Sequence, residues 1–283
     1  MIISCIIVTK DRPDDCQRCL ASLRAQSRVP DQIIVVEGGK AQLADKTGIK
    51  LIFSVPGITK QRNVARRQVR SDCDVVVYLD DDTVLSNDVL SKVEQDFIEH
   101  TKMIGLTGKI SGEAPHYDAK KFFGKLLGLY TSQPYGISWG LFNIINTVTQ
   151  TQPVQWLPGA FMCYRWSAVR EIIFDEWFSE YGLGEDFDYS LRVATVGELW
   201  ADPNIKVEHW HSAVGRNWQK FGYMRIVNRC YLYNKFFRGK YWLWFGMWWA
   251  NGWLIIINAW RGLISDRYMA EWYGEIRALL HLK

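Results

Sequence analysis

Three consecutive aspartates, Asp80, Asp81 and Asp82, directly follow the apolar run VVVYL at residues 75–79. Adjacent carboxylates repel one another, so this position calls for a compensating positive charge. Divalent cations such as Mg²⁺ and Mn²⁺ bind carboxylate oxygens together with phosphates and water. On an extended strand end, Asp80 and Asp82 point to one side and Asp81 to the other. The segment therefore indicates a metal site, with a capping or turn cluster as the alternative.

A second acidic group, Glu185, Asp186 and Asp188, lies in GLGEDFDYSLR at residues 182–192. Acidic side chains favour a helix N-terminus, which is the structural interpretation. The catalytic interpretation is a general base that takes a proton from an attacking hydroxyl. Further along, His209 and His211 alternate in VEHWHS and would share one face of a strand. Either histidine could complete a metal site, and either could equally have a structural role.

Alternating strands and helices in the N-terminal third must position these groups. Apolar runs predict strands at residues 2–8, within QIIVVEGG at 32–39, and at 50–55 and 74–79. Helices are predicted from Asp14 or Asp15 to about Gln26, over 60–70, and over 87–99 with Ser86 as the cap. Another helical and aromatic segment is expected from about Asn217. The βαβ series predicts a mainly parallel sheet.

The loops that follow parallel strands lie on one edge of the sheet, where ligands bind. Here they are residues 9–13, 37–40, 56–63 and 80–83, and they carry Lys10, Arg12 and Arg62 opposite the three aspartates. Both signs of charge in one place suit a metal and a phosphate together. The first loop, TKDRPDD, has no glycine, which excludes the Gly-rich turn of a dinucleotide-binding domain.

Composition and cysteine usage give weaker indications. The chain has 283 residues, of which 48% are hydrophobic and 23% charged, as in globular proteins. A net charge of +4 does not indicate a nucleic-acid partner. Cys16 and Cys19 form an isolated CxxC pair, which we interpret as two small residues on one helical turn. MIISCIIVTK lacks the features of a signal peptide, so we expect a cytoplasmic protein.

Seven segments, taken in order, resemble the family 2 glycosyltransferases, which have the GT-A fold. They cover about residues 3–216 and are SCIIVTKDRP, IIVVEGG, GITKQRNVARR, VVYLDDDTVL, WLPGAFMCYR, FDEWFSEYGLGEDFDYSLR and VEHWHSAVGR. The resemblance implies an α/β protein with a mainly parallel central sheet flanked by helices. It also implies an inverting transferase of the hexosyltransferase type, similar to bacterial rhamnosyl and glycosyl transferases of cell-surface polysaccharide synthesis. The donor would be a nucleotide-diphosphate sugar and the cofactor Mg²⁺ or Mn²⁺.

The resemblance also implies roles for individual residues. Six residues would surround the nucleotide: Thr9, Lys10, Arg12, Glu37, Arg62 and Asn63. Glu37 stands where the family more often has aspartate. This difference bears on which nucleoside the site prefers and not on the reaction. Within the family's DXD motif, Asp82 would hold the metal, Asp81 would contact the ribose or sugar, and Asp80 would support them.

The later segments supply the remaining roles that the resemblance implies. Asp186 resembles the catalytic base, with Glu185 as the alternative. His209 resembles a late metal or phosphate ligand, with His211 as the second choice. The loop that would meet the donor sugar and the acceptor contains Trp156, Pro158 and Gly159.

The aromatic segment YWLWFGMWWANGWLIIINAW, residues 241–260, has no charge over 20 residues. This length could span a bilayer. Its tryptophans and basic flanks instead favour attachment to the membrane interface, and a buried helix or homo-oligomer contact is the third alternative. Residues 120–148 are expected to join this surface. We assign residues 1–216 to a GT-A domain and 217–283 to a helical, membrane-associating or oligomerising segment.

If that segment attaches to a membrane, the acceptor is expected to be a glycan or a lipid-linked molecule, with the enzyme on the inner face of the cell membrane. Two other functions remain open. A nucleotidyltransferase that makes a nucleotide sugar also uses aspartates, a metal and a parallel sheet, but usually has a Gly-rich basic loop after its first strand. A non-catalytic sugar- or nucleotide-binding scaffold would not need the candidate base.

Overall fold

The computed structural model describes residues 1–112, 121–178, 182–210 and 217–282. Contacts divide the chain into two compact units. The first unit comprises Met1–Ala114 and Thr147–Ser212, and the second comprises Pro115–Asn146 and Ala213–Lys283. An internal, aromatic and glycine-rich segment therefore belongs to the same unit as the C-terminal helices.

Eleven strands and nine α-helices are present in the described residues. The strands are β1 (Ile3–Thr9), β2 (Gln32–Glu37), β3 (Lys50–Phe53), β4 (Val75–Asp80), β5 (Thr83–Leu85), β6 (Met103–Ser111), β7 (Gly136–Ile137), β8 (Asn143–Ile144), β9 (Gln152–Pro153), β10 (Phe161–Arg165) and β11 (Glu198–His209). The helices are α1 (Pro13–Arg24), α2 (Ile58–Arg66), α3 (Val89–Glu99), α4 (Lys121–Leu126), α5 (Trp166–Val169), α6 (Glu185–Val193), α7 (Trp218–Leu232), α8 (Tyr241–Gly262) and α9 (Asp266–His281).

The main sheet of the first unit has the strand order β3-β2-β1-β4-β10-β6-β11-β5, with β9 paired to β11. Strands β3, β2, β1 and β4 are parallel to one another, and β6 and β11 form a second parallel pair. The later strand β10 lies between β4 and β6 and is antiparallel to both. The mainly parallel sheet predicted from the sequence is confirmed.

Both faces of the sheet are covered, which explains the unbroken apolar runs of β1 and β4. Successive side chains of a strand point to opposite faces, so each strand contributes to two clusters. One cluster includes Ile3, Cys5, Ile7, Val75, Val77 and Leu79, and the other includes Ile6, Val8, Val76 and Tyr78. Cys16 and Cys19 pack into the first cluster from α1, as two small residues on one helical turn should.

Several predicted boundaries were wrong. The first helix begins at Pro13, so Asp14 and Asp15 lie in its first turn and do not cap it; proline is favoured at this position because its missing N–H would have no helical partner. Helix α3 begins at Val89, not at 87, and Ser86 is outside it. Helix α2 runs over Ile58–Arg66 and is preceded by Gly57 at φ 136°. The first strand starts one residue later than predicted.

The second unit contains α7, α8 and α9 together with α4 and the short pair β7–β8. Helices α7 and α9 approach closely at glycines, since a Cβ on Gly222 would lie 2.0 Å from the carbonyl oxygen of Glu271. Inside this unit, Arg225 forms ion pairs with Glu271 (2.7 Å) and Glu275 (3.1 Å). In the part of the chain that the structure covers, no helix is sufficiently long and apolar for a transmembrane span.

Candidate active site

The carboxyl ends of β1 and β4 are adjacent, and two side chains join them there. The register pairs Val8 with Asp80, so Thr9 and Asp81 follow on neighbouring positions. The Thr9 hydroxyl donates a hydrogen bond of 2.6 Å to Asp81 Oδ2. The Thr9 carbonyl accepts from the Gly38 amide and from Gln61 Nε2, at 2.9 and 2.8 Å. The loops after these strands therefore meet at one edge, as the parallel sheet predicts.

Asp81 is completely buried and has two polar partners. Its Oδ1 lies 2.8 Å from Arg12 Nη2, and its Oδ2 accepts from Thr9. Burial raises the pKa of Asp81 to about 7, because the loss of hydration outweighs the lowering by Arg12 and Thr9. The same guanidinium reaches Asp82, where Nη1 is 3.3 Å from Oδ2. Arg12 thus supplies positive charge to two of the three aspartates.

Asp80, Asp82 and His209 form a cluster that could hold a metal, with one ligand atom of each within 4.8 Å of the others. Strand β11 brings in the histidine, because His209 pairs with Thr83 of β5. His209 Nε2 lies 2.9 Å from Asp82 Oδ1. Carboxylate oxygens are the preferred ligands of Mg²⁺ and Mn²⁺, so this donor set fits the predicted metal. His211 lies outside the described residues.

Arg62 is the central cation of the site. Its guanidinium is fully buried and comes from α2. Nη2 lies 3.0 Å from Asp80 Oδ1 and donates to the Gly159 carbonyl at 3.0 Å, while Nη1 lies 2.9 Å from Glu185 Oε1. One side chain therefore connects the candidate metal cluster, the Gly159 loop and the start of α6.

The acidic pair Glu185 and Asp186 begins α6, after Gly184 in the left-handed conformation at φ 94°. Asp186 Oδ2 accepts from the Gly159 amide at 2.9 Å, and its Oδ1 accepts from the Phe187 amide at 2.7 Å. Burial raises the pKa of both carboxyls, and the charge of Asp186 adds to the effect on Glu185. Glu185 is buried against Arg62, whereas Asp186 is partly exposed. Asp186 is therefore the more accessible of the two candidate bases.

Glu37 and Asn63 are two further predicted site residues, and hydrogen bonds hold both of their side chains in place. Glu37 is buried, and its Oε1 accepts from the amides of Asp11 (3.1 Å) and Gly39 (2.6 Å). The Asn63 amide donates to the Phe174 carbonyl (2.9 Å) and to Glu176 Oε1 (3.0 Å), which attaches α2 to the segment before α6.

The remaining predicted residues lie on two loops. Lys10 is exposed after β1. Trp156 is almost entirely buried, and it precedes the turn in which the Pro158 carbonyl accepts from the Phe161 amide. Gly159 is in direct contact with Arg62 and Asp186.

Two residues of the site were not identified from the sequence. Gln61 donates to the carbonyls of Thr9 and Val36, and its Oε1 accepts from the Gly57 amide, so it connects the ends of β1 and β2 to the turn before α2. Nothing in its type or spacing indicated this role. Asp11 adopts a positive φ of 55° and accepts from the amides of Lys40 and Ala41. Aspartate in the loop after a strand is a turn signal, and that signal could have identified it.

Comparisons with known proteins identify the family and the fold of the chain. The model of the family described as glycosyl transferase family 2 matches residues 4–173. Among solved structures, GalNAc-T7 with UDP, GalNAc and Mn²⁺ has a TM-score of 0.58 at 13% identity, covering 76% of this chain and 45% of that one. TarS from S. aureus has a TM-score of 0.51 at 16% identity, covering 81% of this chain and 39% of that one.

A shorter form of the second protein, TarS 1-349, has a TM-score of 0.57 at 15% identity and covers 99% of this chain and 79% of that one. The chain spans less than half the length of GalNAc-T7 and of the longer TarS. No curated protein matches it by sequence. Because the family model matches more than half of the chain, and because the fold is that of these transferases, the chain belongs to glycosyl transferase family 2 and has the GT-A fold.

Proposed function

We propose that the chain is a metal-dependent, inverting transferase that moves a sugar from a nucleotide-diphosphate sugar to a hydroxyl of a glycan or lipid-linked acceptor. One observation carries the proposal. A candidate metal cluster of Asp80, Asp82 and His209 and a candidate base, Asp186, are connected by the buried guanidinium of Arg62. A transferase of this type needs a cation for the leaving group and a base for the attacking hydroxyl, close together.

The donor nucleotide is proposed to bind at the carboxyl ends of β1, β2 and β4, where α/β sheets bind ligands. Its contacts are proposed to be Thr9, Lys10, Arg12, Glu37, Arg62, Asn63, Asp80 and Asp81. Arg12 is partly exposed and can turn toward a phosphate. UDP and GalNAc are present in the GalNAc-T7 structure, which supports a nucleotide-sugar donor for this fold.

Asp80, Asp82 and His209 would hold the cation, and GalNAc-T7 is described with Mn²⁺. When bound, such a cation stabilises the negative charge that develops on the departing diphosphate. His211, the second candidate ligand, stays a prediction. Arg62 keeps Asp80 in place from the protein side through their contact of 3.0 Å.

Asp186 is proposed as the general base. Two backbone amides hold its carboxylate, and burial raises its pKa toward the range in which a carboxylate accepts a proton effectively. It takes the proton from the acceptor hydroxyl while that oxygen attacks C1 of the sugar. The bond from C1 to the diphosphate oxygen breaks on the opposite face, so the configuration at C1 is inverted. Glu185 orients the site through Arg62, because their ion pair of 2.9 Å is buried.

The loop with Trp156, Pro158 and Gly159 is proposed to meet the donor sugar and the acceptor. A Cβ at Gly159 would lie 3.1 Å from Glu185 Oε1 and 3.3 Å from Arg62 Nη2. The absence of a side chain there therefore keeps the loop close to both charged groups.

We further propose that residues 1–216 form the catalytic domain and that residues 217–283 attach it to the inner face of the cell membrane, with a homo-oligomer as the alternative. A role in cell-surface polysaccharide synthesis follows from a lipid-linked acceptor at that location.

A thermal-shift screen identifies the donor first, using UDP-, dTDP- and GDP-sugars with and without Mn²⁺. A ligand at 100 times its Kd stabilises the folded protein by about 2.7 kcal/mol. We expect one nucleotide to raise Tm, and more strongly with Mn²⁺. Asp82→Asn should remove the Mn²⁺-dependent part of the shift. A protein that responds to no nucleotide contradicts the proposal.

The base is tested with the donor so identified. We expect Asp186→Asn to lower the rate of nucleoside diphosphate release about 10²–10⁴-fold, while the thermal shift with the donor is retained. Glu185→Gln is the matched variant one position away. A larger rate loss in Glu185→Gln would transfer the role of base to Glu185. Release of pyrophosphate would identify a nucleotidyltransferase, and donor binding without any turnover a scaffold.

A further inference from the structure

One side of α8 exposes a row of large apolar side chains. Trp242, Phe245, Trp249, Ile256 and Trp260 are 64%, 58%, 40%, 54% and 79% exposed. The first and the last are separated by five full helical turns and so lie on the same side, about 27 Å apart along the axis. We call this set of five residues the aromatic row.

The opposite side of α8 is already used by the second unit. Leu243, Met247, Ala250, Leu254 and Asn258 are buried there. The first two pack with residues of α7 and α9, and Ala250 and Leu254 pack with Leu129. The aromatic row is therefore not required for the core of this unit. Two of its members also contact each other, since the rings of Phe245 and Trp249 are stacked with 6.1 Å between their centroids.

The chain segment that contains the aromatic row carries lysines and arginines but no acidic residues. Residues 209–265 contain no aspartate or glutamate. The basic residues of the same segment are Arg216, Lys220, Arg225, Arg229, Lys235, Arg238, Lys240 and Arg261. Lys235, Arg238 and Lys240 are exposed directly before α8, and Arg261 follows the row in its last turn. Exposed positive charge therefore precedes the aromatic row, and one partly exposed basic side chain, Arg261, lies at its other end, five residues before Asp266.

We propose that the aromatic row docks on an anionic phospholipid membrane, with α8 lying in the plane of the interface. Tryptophan and phenylalanine insert at the level of the headgroups, and flanking lysines and arginines attract anionic lipids. A protein partner would have to supply acidic groups at both ends of a row of about 27 Å, whereas an anionic bilayer supplies them everywhere. The link from this surface to a lipid-linked acceptor rests on the proposed function.

Co-sedimentation of the full chain with vesicles tests the inference. The protein should bind vesicles of phosphatidylcholine with phosphatidylglycerol and should bind pure phosphatidylcholine much more weakly. Trp242→Gln combined with Trp260→Gln should weaken binding at least tenfold, because each indole leaves the interface. Arg238→Gln and Lys240→Gln should each weaken it about fivefold, equivalent to about 1 kcal/mol per basic side chain.

Matched controls come from the first unit. Phe53 is 54% exposed, so Phe53→Gln changes a side chain similar to Phe245 in type and exposure. Phe245→Gln should weaken vesicle binding, and Phe53→Gln and Lys46→Gln should not. All variants should keep the donor-dependent thermal shift, which makes a failure of membrane binding distinguishable from a failure of the transferase assignment.

Three results would overturn the inference. The full chain could fail to bind either kind of vesicle, or the substitutions in the aromatic row could leave vesicle binding unchanged. A dimer in light-scattering measurements that Trp242→Gln and Trp260→Gln convert to monomers, without vesicle binding, would assign the row to a contact between two copies of this chain.

Discussion

Replacing Arg62 by methionine tests the electrostatic centre of the site. The guanidinium is fully buried and contacts Asp80, Glu185 and the Gly159 carbonyl. Methionine fills most of the same volume but leaves a buried carboxylate without its cation. Breaking a buried ion pair in this way costs about 3–5 kcal/mol of the free energy of unfolding. We expect a loss of that size for Arg62→Met near neutral pH.

The free energy of unfolding that Arg62→Met loses should be larger at high pH than at low pH. Burial already raises the pKa of Glu185, and removal of Arg62 takes away an interaction that lowers it. The ionised form of Glu185 is thus disfavoured in the folded state of the variant. Its stability is highest when Glu185 is protonated, at low pH, and falls as the pH rises above the unfolded pKa of about 4.3. Arg62→Met should therefore be less destabilising at about pH 5 than at about pH 8.

Urea unfolding at the two pH values measures this, and Arg66→Met is the control. Arg66 is also buried in α2, but its Nη2 donates to the carbonyls of Val169 and Arg170, both at 2.8 Å. Arg66 thus bonds backbone carbonyls, whereas Arg62 is paired with two carboxylates. Arg66→Met should therefore lower the free energy of unfolding by the same amount at both pH values.

A second variant removes the unpaired charge. Arg62→Met combined with Glu185→Gln should recover part of the lost stability at the higher pH, because a neutral side chain then replaces the buried carboxylate. Equal pH dependence of Arg62→Met and Arg66→Met, or no recovery in the double variant, would refute the assignment of Arg62 as the counter-charge of Glu185.

Two further predictions concern carboxylates. Burial, with added repulsion from Asp202, raises the pKa of Asp96 to about 7, so ionised Asp96 destabilises the fold as the pH rises from about 4 toward that value. Asp96→Asn should therefore increase stability in urea unfolding at about pH 8 and not at about pH 4, and an equal gain at both would contradict it. Thr9→Val removes the donor to Asp81 and should cost about 1.5–3 kcal/mol, compared with no change for the exposed control Thr101→Val.

The strands were the most predictable elements. Strands β1, β2 and β4 are buried on both faces, which requires apolar residues at nearly every position and so leaves an unbroken run in the sequence. Helix starts were less predictable, because several residues near each start can cap a helix. Residue preferences suggested Asp14 or Asp15 as the cap of α1 and Ser86 as the cap of α3. None of the three caps its helix.

The candidate site residues could be proposed individually from the sequence, but the hydrogen bonds and ion pairs between them could not. Nothing in the sequence around Arg62 shows that it contacts both Asp80 and Glu185, which are 18 and 123 positions away. The Asn63 amide likewise bonds Phe174, at a separation of 111 positions. Such contacts depend on how α2 and α6 pack on the sheet, and side-chain types alone do not determine that packing.

The position of β10 has a consequence for the growing chain during synthesis. Strands β4 and β6 are neighbours of β10 and do not pair with each other, although both are made long before it. Until residues 161–165 have left the ribosome, both strands keep an open edge, and open edges invite pairing with other chains. The Ala160 carbonyl, one residue before β10, also accepts from Thr83 beside the aspartates. Strand β10 therefore joins β3-β2-β1-β4 to β6 and places the Ala160 carbonyl beside the aspartates, and the sheet and the metal cluster are complete only when β11 follows with its pairing to β6 and β5 and with His209.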